Sequence, residues 1–175
     1  MIGSTAPANP CEQALARWCD RRVPPPQKVA VAYSAGADST ALLLAAQERW
    51  PGQVLALHVH HGLQAAADAF ESHARRFCEQ HRMALRVKRV DAAHGAGQSP
   101  EDAARLARYA ALARMAVEAE VDCVLLGQHA DDQAETLLLA LSRGAGLPGL
   151  ASMPECFDRA GMSFGRPLLG VSAGE

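Results

Sequence analysis

Apolar and polar positions alternate along the chain in a regular order. Cys11, Leu15, Trp18 and Cys19 share one face at helical spacing. The helix they predict must stop before Pro24-Pro25-Pro26, where each ring removes a backbone N–H. Residues 1–10 carry no such pattern and read as a lead-in. Lys28-Val-Ala-Val-Ala-Tyr33 is a short apolar run of strand character. A turn of small residues follows, then an apolar helix through Leu42, Leu43 and Leu44 that ends near Trp50-Pro51-Gly52. The order then repeats. Val54 to Val59 reads as a buried strand, followed by a helix with Phe70, Ala74, Phe77 and Cys78 on one side. Leu85 to Val90 reads as a third strand. Ser99-Pro100-Glu101-Asp102 supplies a cap, a first-turn proline and early acids, and starts a helix that runs to about Glu120. Cys123 to Gly127 is a fourth strand and Asp131 to Leu141 a further helix. Beyond Arg143 the chain is rich in Gly and Pro, with a last strand expected near Phe164 to Leu169. Strands separated by single helices predict an α/β fold, a Rossmann-like parallel sheet with helices on both faces.

Composition narrows the function classes. At 175 residues, 49% hydrophobic and 21% charged, the chain suits one soluble globular domain that needs no disulfide or structural metal to fold. Aromatics make up only 5%, so the core is aliphatic and rows of base-stacking rings are excluded. A net charge of −2 removes the whole-chain signature of a nucleic-acid binder, so any such contact must be local or supplied from outside this chain. Arg75, Arg76, Arg82, Arg86, Lys88 and Arg89 form a basic cluster that reads equally as a solvated face. The five cysteines are scattered, with no CxxC pair. The N-terminus lacks a signal-peptide pattern, and no apolar stretch approaches membrane-spanning length. The class expected is a reduced, cytoplasmic enzyme or binding module without membrane contact.

The sharpest chemical feature is Ser34-Ala35-Gly36-Ala37-Asp38-Ser39, at the carboxyl end of the first central strand. Parallel sheets place ligands there. Small residues let backbone approach an oxyanion, and the next helix offers unpaired N–H groups at its positive dipole end. Ser34 and Ser39 add hydroxyls. Asp38 would repel a phosphate unless it serves a cation, which implies Mg²⁺ beside a polyphosphate. The chain has no Walker A pattern, and Gly144 to Gly149 fits GxGxxG only after a helix and across Pro148, the wrong context for a dinucleotide site.

Two further groups sit at strand ends or helix starts. Asp132 and Glu135, three apart after the fourth strand, would share a helix face near the same sheet edge. They can hold Mg²⁺ or deprotonate an ammonium, and they equally fit an ordinary acid-rich helix start. Arg105, Arg108 and Tyr109 lie at helical spacing, with Glu101 placed to pair with Arg105; a guanidinium there reaches phosphate or merely decorates a surface helix. His58-Val-His60-His61 invites zinc, but no Cys or acid stands at zinc-site spacing. Lining a nucleotide or RNA pocket suits these histidines better.

Together these blocks resemble the N-type ATP pyrophosphatases (PP-loop ATPases, adenine nucleotide alpha hydrolase-like), and among them the tRNA(Ile)-lysidine synthases. The matching pieces are the SAGADS loop, His58-Val-His60-His61-Gly62-Leu63, Glu101-x-x-x-Arg105-x-x-Arg108-Tyr109 and Gln128-His129-x-Asp131-Asp132-Gln133-x-Glu135-Thr136. Arg143-Gly-x-Gly-Leu, Gly149-Leu-x-x-Met153 and Arg166-Pro-Leu-Leu169 follow in order. The resemblance implies residues 1–27 as lead-in and helix and 28–175 as the ATP pyrophosphatase domain, with the family's tRNA-gripping C-terminal domains not following. It implies ATP and Mg²⁺ as cofactors, and free L-lysine and tRNA(Ile) with a CAU anticodon as partners. The expected activity is ligation of lysine to C2 of the wobble cytidine through an adenylated intermediate, releasing AMP and pyrophosphate. Ser34, Ala35, Gly36, Ala37, Asp38, Ser39 and His60 would bind ATP. Asp38, Arg105, Arg108, Asp132 and Glu135 would be catalytic, and Asp38 and Asp132 would hold Mg²⁺. One departure is Ala35, where the family carries glycine; its methyl is tolerable only if φ there need not be positive. A tRNA thiolase on the same fold, or an ATP-binding module with little transfer activity, are the competing expectations.

Overall fold

A computed structural model describes residues 9–60, 65–90, 99–142 and 153–172. The short apolar run Val29–Ala32 forms β1 and pairs in parallel with β2 (Val54–His60) on one side and β4 (Cys123–Leu125) on the other. β3 (Ala84–Arg89) adds in parallel outside β2, and β6 (Met162–Gly165) outside β4. β5 (Cys156–Arg159) closes that edge as an antiparallel hairpin partner of β6. The six-stranded order is therefore β3-β2-β1-β4-β6-β5. Continuous apolar runs on β1 and β4 fit strands covered on both faces.

The helices do that covering. α1 (Pro10–Asp20), α2 (Ala37–Arg49) and α3 (Ala65–Gln80) pack on one face, where Trp18, Leu42, Leu43, Ala74 and Cys78 meet Val29, Val31 and Ala56. α4 (Pro100–Glu118) covers the other with Tyr109, Leu112 and Met115 against Ala30, Leu57, Val124 and Phe164. α1 starts at a capping box in which Asn9 and Glu12 satisfy each other's backbone N–H groups. α5 (Ala130–Ser142) differs: it buries no residue, and Leu137, Leu138, Leu139 and Leu141 stand exposed.

Three expectations need correction. The last strand ends at Gly165, because Pro167 cannot donate to a ladder; Leu168 and Leu169 are buried from a turn instead. β5 was not anticipated, since its burial on an edge is partial and leaves no clear alternation. Phe70 does not join Ala74 and Cys78 in the core but is half exposed on the rim of a cavity. The Gly144 to Gly149 stretch lies outside the described residues. No described helix is long and apolar enough to cross a membrane.

Candidate active site

β1 connects to β2 on one side and lies against β4 on the other, so the strand order reverses at β1 and leaves a crevice at the carboxyl ends. A cavity of about 640 Å³ opens there. Ser34, Gly36, Asp38 and Ser39 line it from the turn after β1, and Gly127, Gln128 and Asp132 from the end of β4. His58 and His60 enter from β2, and Arg108 and Tyr109 from α4.

The turn after β1 is organised by its own hydroxyls. Ser39 Oγ donates to the Gly36 carbonyl at 3.0 Å. Its single proton is thereby used, so across the 3.1 Å contact Ser34 Oγ is the donor to Ser39 Oγ. Ser34 Oγ in turn accepts from the Gly36 N–H at 3.3 Å. This closed ring holds the turn while α2 begins without a side-chain cap at Gly36, leaving first-turn N–H groups for an anion. Gly127 makes the crevice tight: a Cβ there would meet Ser39 N at 3.2 Å and Asp38 C at 3.3 Å.

Ala35 has φ +68°, contrary to the expectation that its methyl required a negative φ. It occupies the left-handed region that a glycine adopts freely, at a cost of roughly 1–2 kcal/mol. Its methyl packs on the core and does not line the cavity, which is how the fold tolerates it. Ala37 likewise does not line the cavity.

His129 ties the two strand ends together. Its Nδ1 accepts from the Asp131 N–H at 3.3 Å, so the neutral ring carries its proton on Nε2. That nitrogen lies 3.6 Å from Asp38 Oδ2 and 3.5 Å from Asp132 Oδ2. Asp132 Oδ2 also accepts the His129 backbone N–H at 2.8 Å, capping α5. Two carboxylates from different elements thus lie on either side of one ring nitrogen, at the outer edge of hydrogen-bond range. Oxygen donors of this kind suit Mg²⁺, which binds through one or two carboxylates and completes its shell with water and phosphate. Among the described residues no three acids, histidines or cysteines form a protein-only metal cage.

The arginine pair separates. Arg108 lines the cavity, with its guanidinium 5.7 Å from the centre of the Tyr109 ring. Arg105 does not; it pairs with Asp102 at 3.0 Å, not with Glu101. Glu135 is exposed on α5, outside the cavity lining, one turn beyond Asp132. His60 is buried, with Nε2 3.0 Å from Asp68 Oδ1. Within the basic cluster, Arg75 and Arg89 are engaged by Glu71, and Arg86 donates to the Met115 carbonyl, while all three side chains remain exposed.

Several contributors escaped the sequence. Gln128 accepts from Arg166 Nε, and Arg166 is itself buried, bonded to the Pro154 carbonyl at 2.9 Å and stacked over Phe157 at 4.3 Å. Gln128 and Arg166 are 38 residues apart, so no local pattern links them. Tyr33 and Gly127 carried signals only as neighbours of the blocks, and His129 stood inside one without an assigned role. Cysteine chemistry is poorly placed: none of the thiols lines the cavity. Burial pushes Cys123 up to about 12 and Cys78 up to about 11, far from the thiolate a nucleophile needs.

A switch-point cavity with an uncapped helix start and two neighbouring carboxylates is an arrangement that can receive a nucleotide polyphosphate, and the chain belongs to the PP-loop domain family, which it matches over residues 8–175. The chain is similar to the tRNA(Ile)-lysidine synthase of Polaromonas naphthalenivorans, 65% identical over 81% of this chain and 43% of that protein. It is 48% identical to the tRNA(Ile)-lysidine synthase of Pseudomonas aeruginosa, over 97% of this chain and 38% of that one. The chain thus spans less than half the length of these curated relatives. Among solved structures it is similar to a U34-tRNA thiolase from Methanococcus maripaludis, with TM-score 0.76 and 18% identity over 94% of this chain and 60% of that one. An NH3-dependent NAD synthetase from Campylobacter jejuni follows at TM-score 0.59 and 16% identity, over 96% and 71%. At such identities the likeness is one of fold.

Proposed function

We propose that this chain is the ATP-using domain of a tRNA(Ile)-lysidine synthase. The observation that supports it most is the meeting of Asp38 and Asp132 at His129 beside the open start of α2, in a chain 65% identical to a protein of that name. In this account ATP lies in the cavity with its polyphosphate toward Gly36 and the first turn of α2. The C2 oxygen of the wobble cytidine attacks the α-phosphorus, and the bond to the β-phosphate oxygen breaks. Pyrophosphate leaves toward backbone N–H groups that need no reorganisation to receive it. The ε-amine of lysine then adds at C2, and AMP departs with the oxygen.

Asp38 and Asp132 are the residues that would hold Mg²⁺. Bound there, the ion would offset charge on the departing pyrophosphate. Lysine arrives as an ammonium and must lose a proton before it attacks, so a carboxylate is required. Asp132 lines the cavity and Glu135 does not, so Asp132 takes this role wherever Asp38 alone holds the ion. Arg108 is placed to steady phosphate charge; Arg105 is committed to Asp102. Sulfur transfer through cysteine finds no support in the buried, high-pKa thiols of Cys78 and Cys123.

The test is incubation of the chain with ATP, Mg²⁺, labelled lysine and unmodified tRNA(Ile). Label is expected in the tRNA, and Asp38→Ala should abolish it. ATP binding without transfer would assign this chain a nucleotide-binding role only, and sulfur incorporation in place of lysine would sink the proposal.

A further inference from the structure

Away from the phosphate end, the cavity passes the end of β2, lined by Leu57, Val59 and Leu112 on the α4 side of the sheet and by Ala67 and Phe70 of α3 on the other. On the α3 side, the face that Ala56 shares, lies His58, which is only 4% exposed. Its Nδ1 sits 2.8 Å from the Tyr33 carbonyl oxygen. A carbonyl oxygen only accepts, so Nδ1 carries the proton and the neutral ring leaves Nε2 as a bare acceptor. Burial holds this histidine below its ordinary pKa, against the opposing pull of the Tyr33 bond, so the neutral ring is the form present at pH 7. Among the described residues nothing pairs with Nε2, although the side chain lines the cavity. Nε2 is therefore an acceptor open to the cavity, available to a ligand that brings the donor.

We infer that His58 Nε2 accepts a hydrogen bond from a donor on the nucleoside half of the bound nucleotide, an exocyclic amine or a ribose hydroxyl, and thereby sets nucleotide selectivity. This rests on the ATP reading given above. The apolar walls suit a base or sugar, whereas the lysine ammonium would be drawn to Asp132. A 6-oxopurine would set its carbonyl against the ring's lone pair, and a deoxyribose would leave that lone pair empty. Sites built on such a bond reject analogues that lack it.

The two amide substitutions at this position separate the bond to the ligand from the bond to Tyr33. His58→Asn keeps an N–H near the Tyr33 carbonyl but places nothing where Nε2 was. His58→Gln brings a carbonyl oxygen to about the Nε2 position and gives up the Tyr33 bond. Binding of ATP, inosine triphosphate, 2′-deoxy-ATP and 3′-deoxy-ATP is measured by titration calorimetry with Mg²⁺ for the unsubstituted chain and both variants. The unsubstituted chain should prefer ATP over one of the analogues by about fivefold to tenfold, the worth of one neutral hydrogen bond. A loss with inosine triphosphate identifies the amine, and a loss with a deoxy analogue identifies the hydroxyl. The preference should survive largely in His58→Gln and vanish in His58→Asn. The reverse order, or the same preference in all three proteins, would overturn the inference, as would a shift in lysine affinity alone. Absence of any ATP binding by the unsubstituted chain is a separate failure, that of the ATP reading itself. Imidazole ¹⁵N spectra of the unsubstituted chain need no variant: an unprotonated Nε2 that shifts on adding ATP is expected, and a protonated or unresponsive Nε2 contradicts the assignment.

Discussion

Gly127→Ala tests how tightly the end of β4 is set against the start of α2. The added Cβ would stand 3.2 Å from Ser39 N and 3.3 Å from Asp38 C and Ser39 Cα. All are backbone atoms in the first turn of α2, so no rotamer change relieves the contact. Gly127 is not in the left-handed region, and alanine has no conformational objection to the site. Removing glycine's freedom in the unfolded chain would by itself stabilise by about 0.4–1 kcal/mol. Wedging a methyl into a packed site costs about 1–3 kcal/mol. The second effect wins, for a net loss of about 1–2 kcal/mol, or a Tm lower by about 3–6 °C for a chain of this size. The displaced turn is also the one that carries the open N–H groups, so ATP should bind more weakly at temperatures where the variant is fully folded. Gly170→Ala is the control, because nothing lies within 4 Å of its added Cβ and only the entropic gain applies. Thermal melts followed by circular dichroism, paired with ATP titration, give both readouts. A Gly127→Ala protein as stabilised as Gly170→Ala, with unchanged ATP affinity, would refute the packing argument.

Other substitutions probe neighbouring parts of the site. Arg108→Ala should weaken ATP binding far more than Arg105→Ala, because only Arg108 lines the cavity; the opposite order in a titration would contradict that placement. Ala35→Gly should leave ATP affinity unchanged, since the methyl packs on the core; a clear tightening would mean that it crowds the phosphate. Arg75, and after it Arg89, hold the Glu71 carboxyl below its ordinary value of 4.5 against the opposing effect of burial. A depressed carboxylate adds stability above the unfolded-state pKa and loses it as pH falls through the folded value. Glu71→Gln should therefore lower Tm at pH 7 and flatten the acid side of the Tm–pH curve; an unchanged acid slope would count against this ion-pair network.

The strands and helices were legible because the central strands are mainly apolar runs and several helices have punctuation at their ends. Pro24-Pro25-Pro26 and Ser99-Pro100 are examples. Local patterns reached less far where pairing was non-local. β5 and the true end of β6 depend on a hairpin at the sheet edge, where burial is partial and Pro167 ends the ladder. In the site, the turn from Ser34 to Ser39 announced itself, since small residues and hydroxyls between a strand and a helix have few other uses. Helical spacing could not tell Arg105 from Arg108, because both sit on α4 and only the sheet beneath decides which one reaches the cavity. Nor could it foresee that Asp102 would claim Arg105. His129 was visible in its block, but its place between Asp38 and Asp132 depends on α2 and α5 meeting across the sheet edge. The role of His58 needed the carbonyl of Tyr33, which a strand pattern does not reveal.

The most direct test is the fate of ATP labelled at the α-phosphorus when the chain turns over with Mg²⁺, lysine and unmodified tRNA(Ile). Cleavage between the α- and β-phosphates predicts labelled AMP and an equal amount of pyrophosphate, both lost in Asp38→Ala. Labelled ADP with inorganic phosphate would show that the bond beside the γ-phosphate breaks instead, and the account of the site would be wrong.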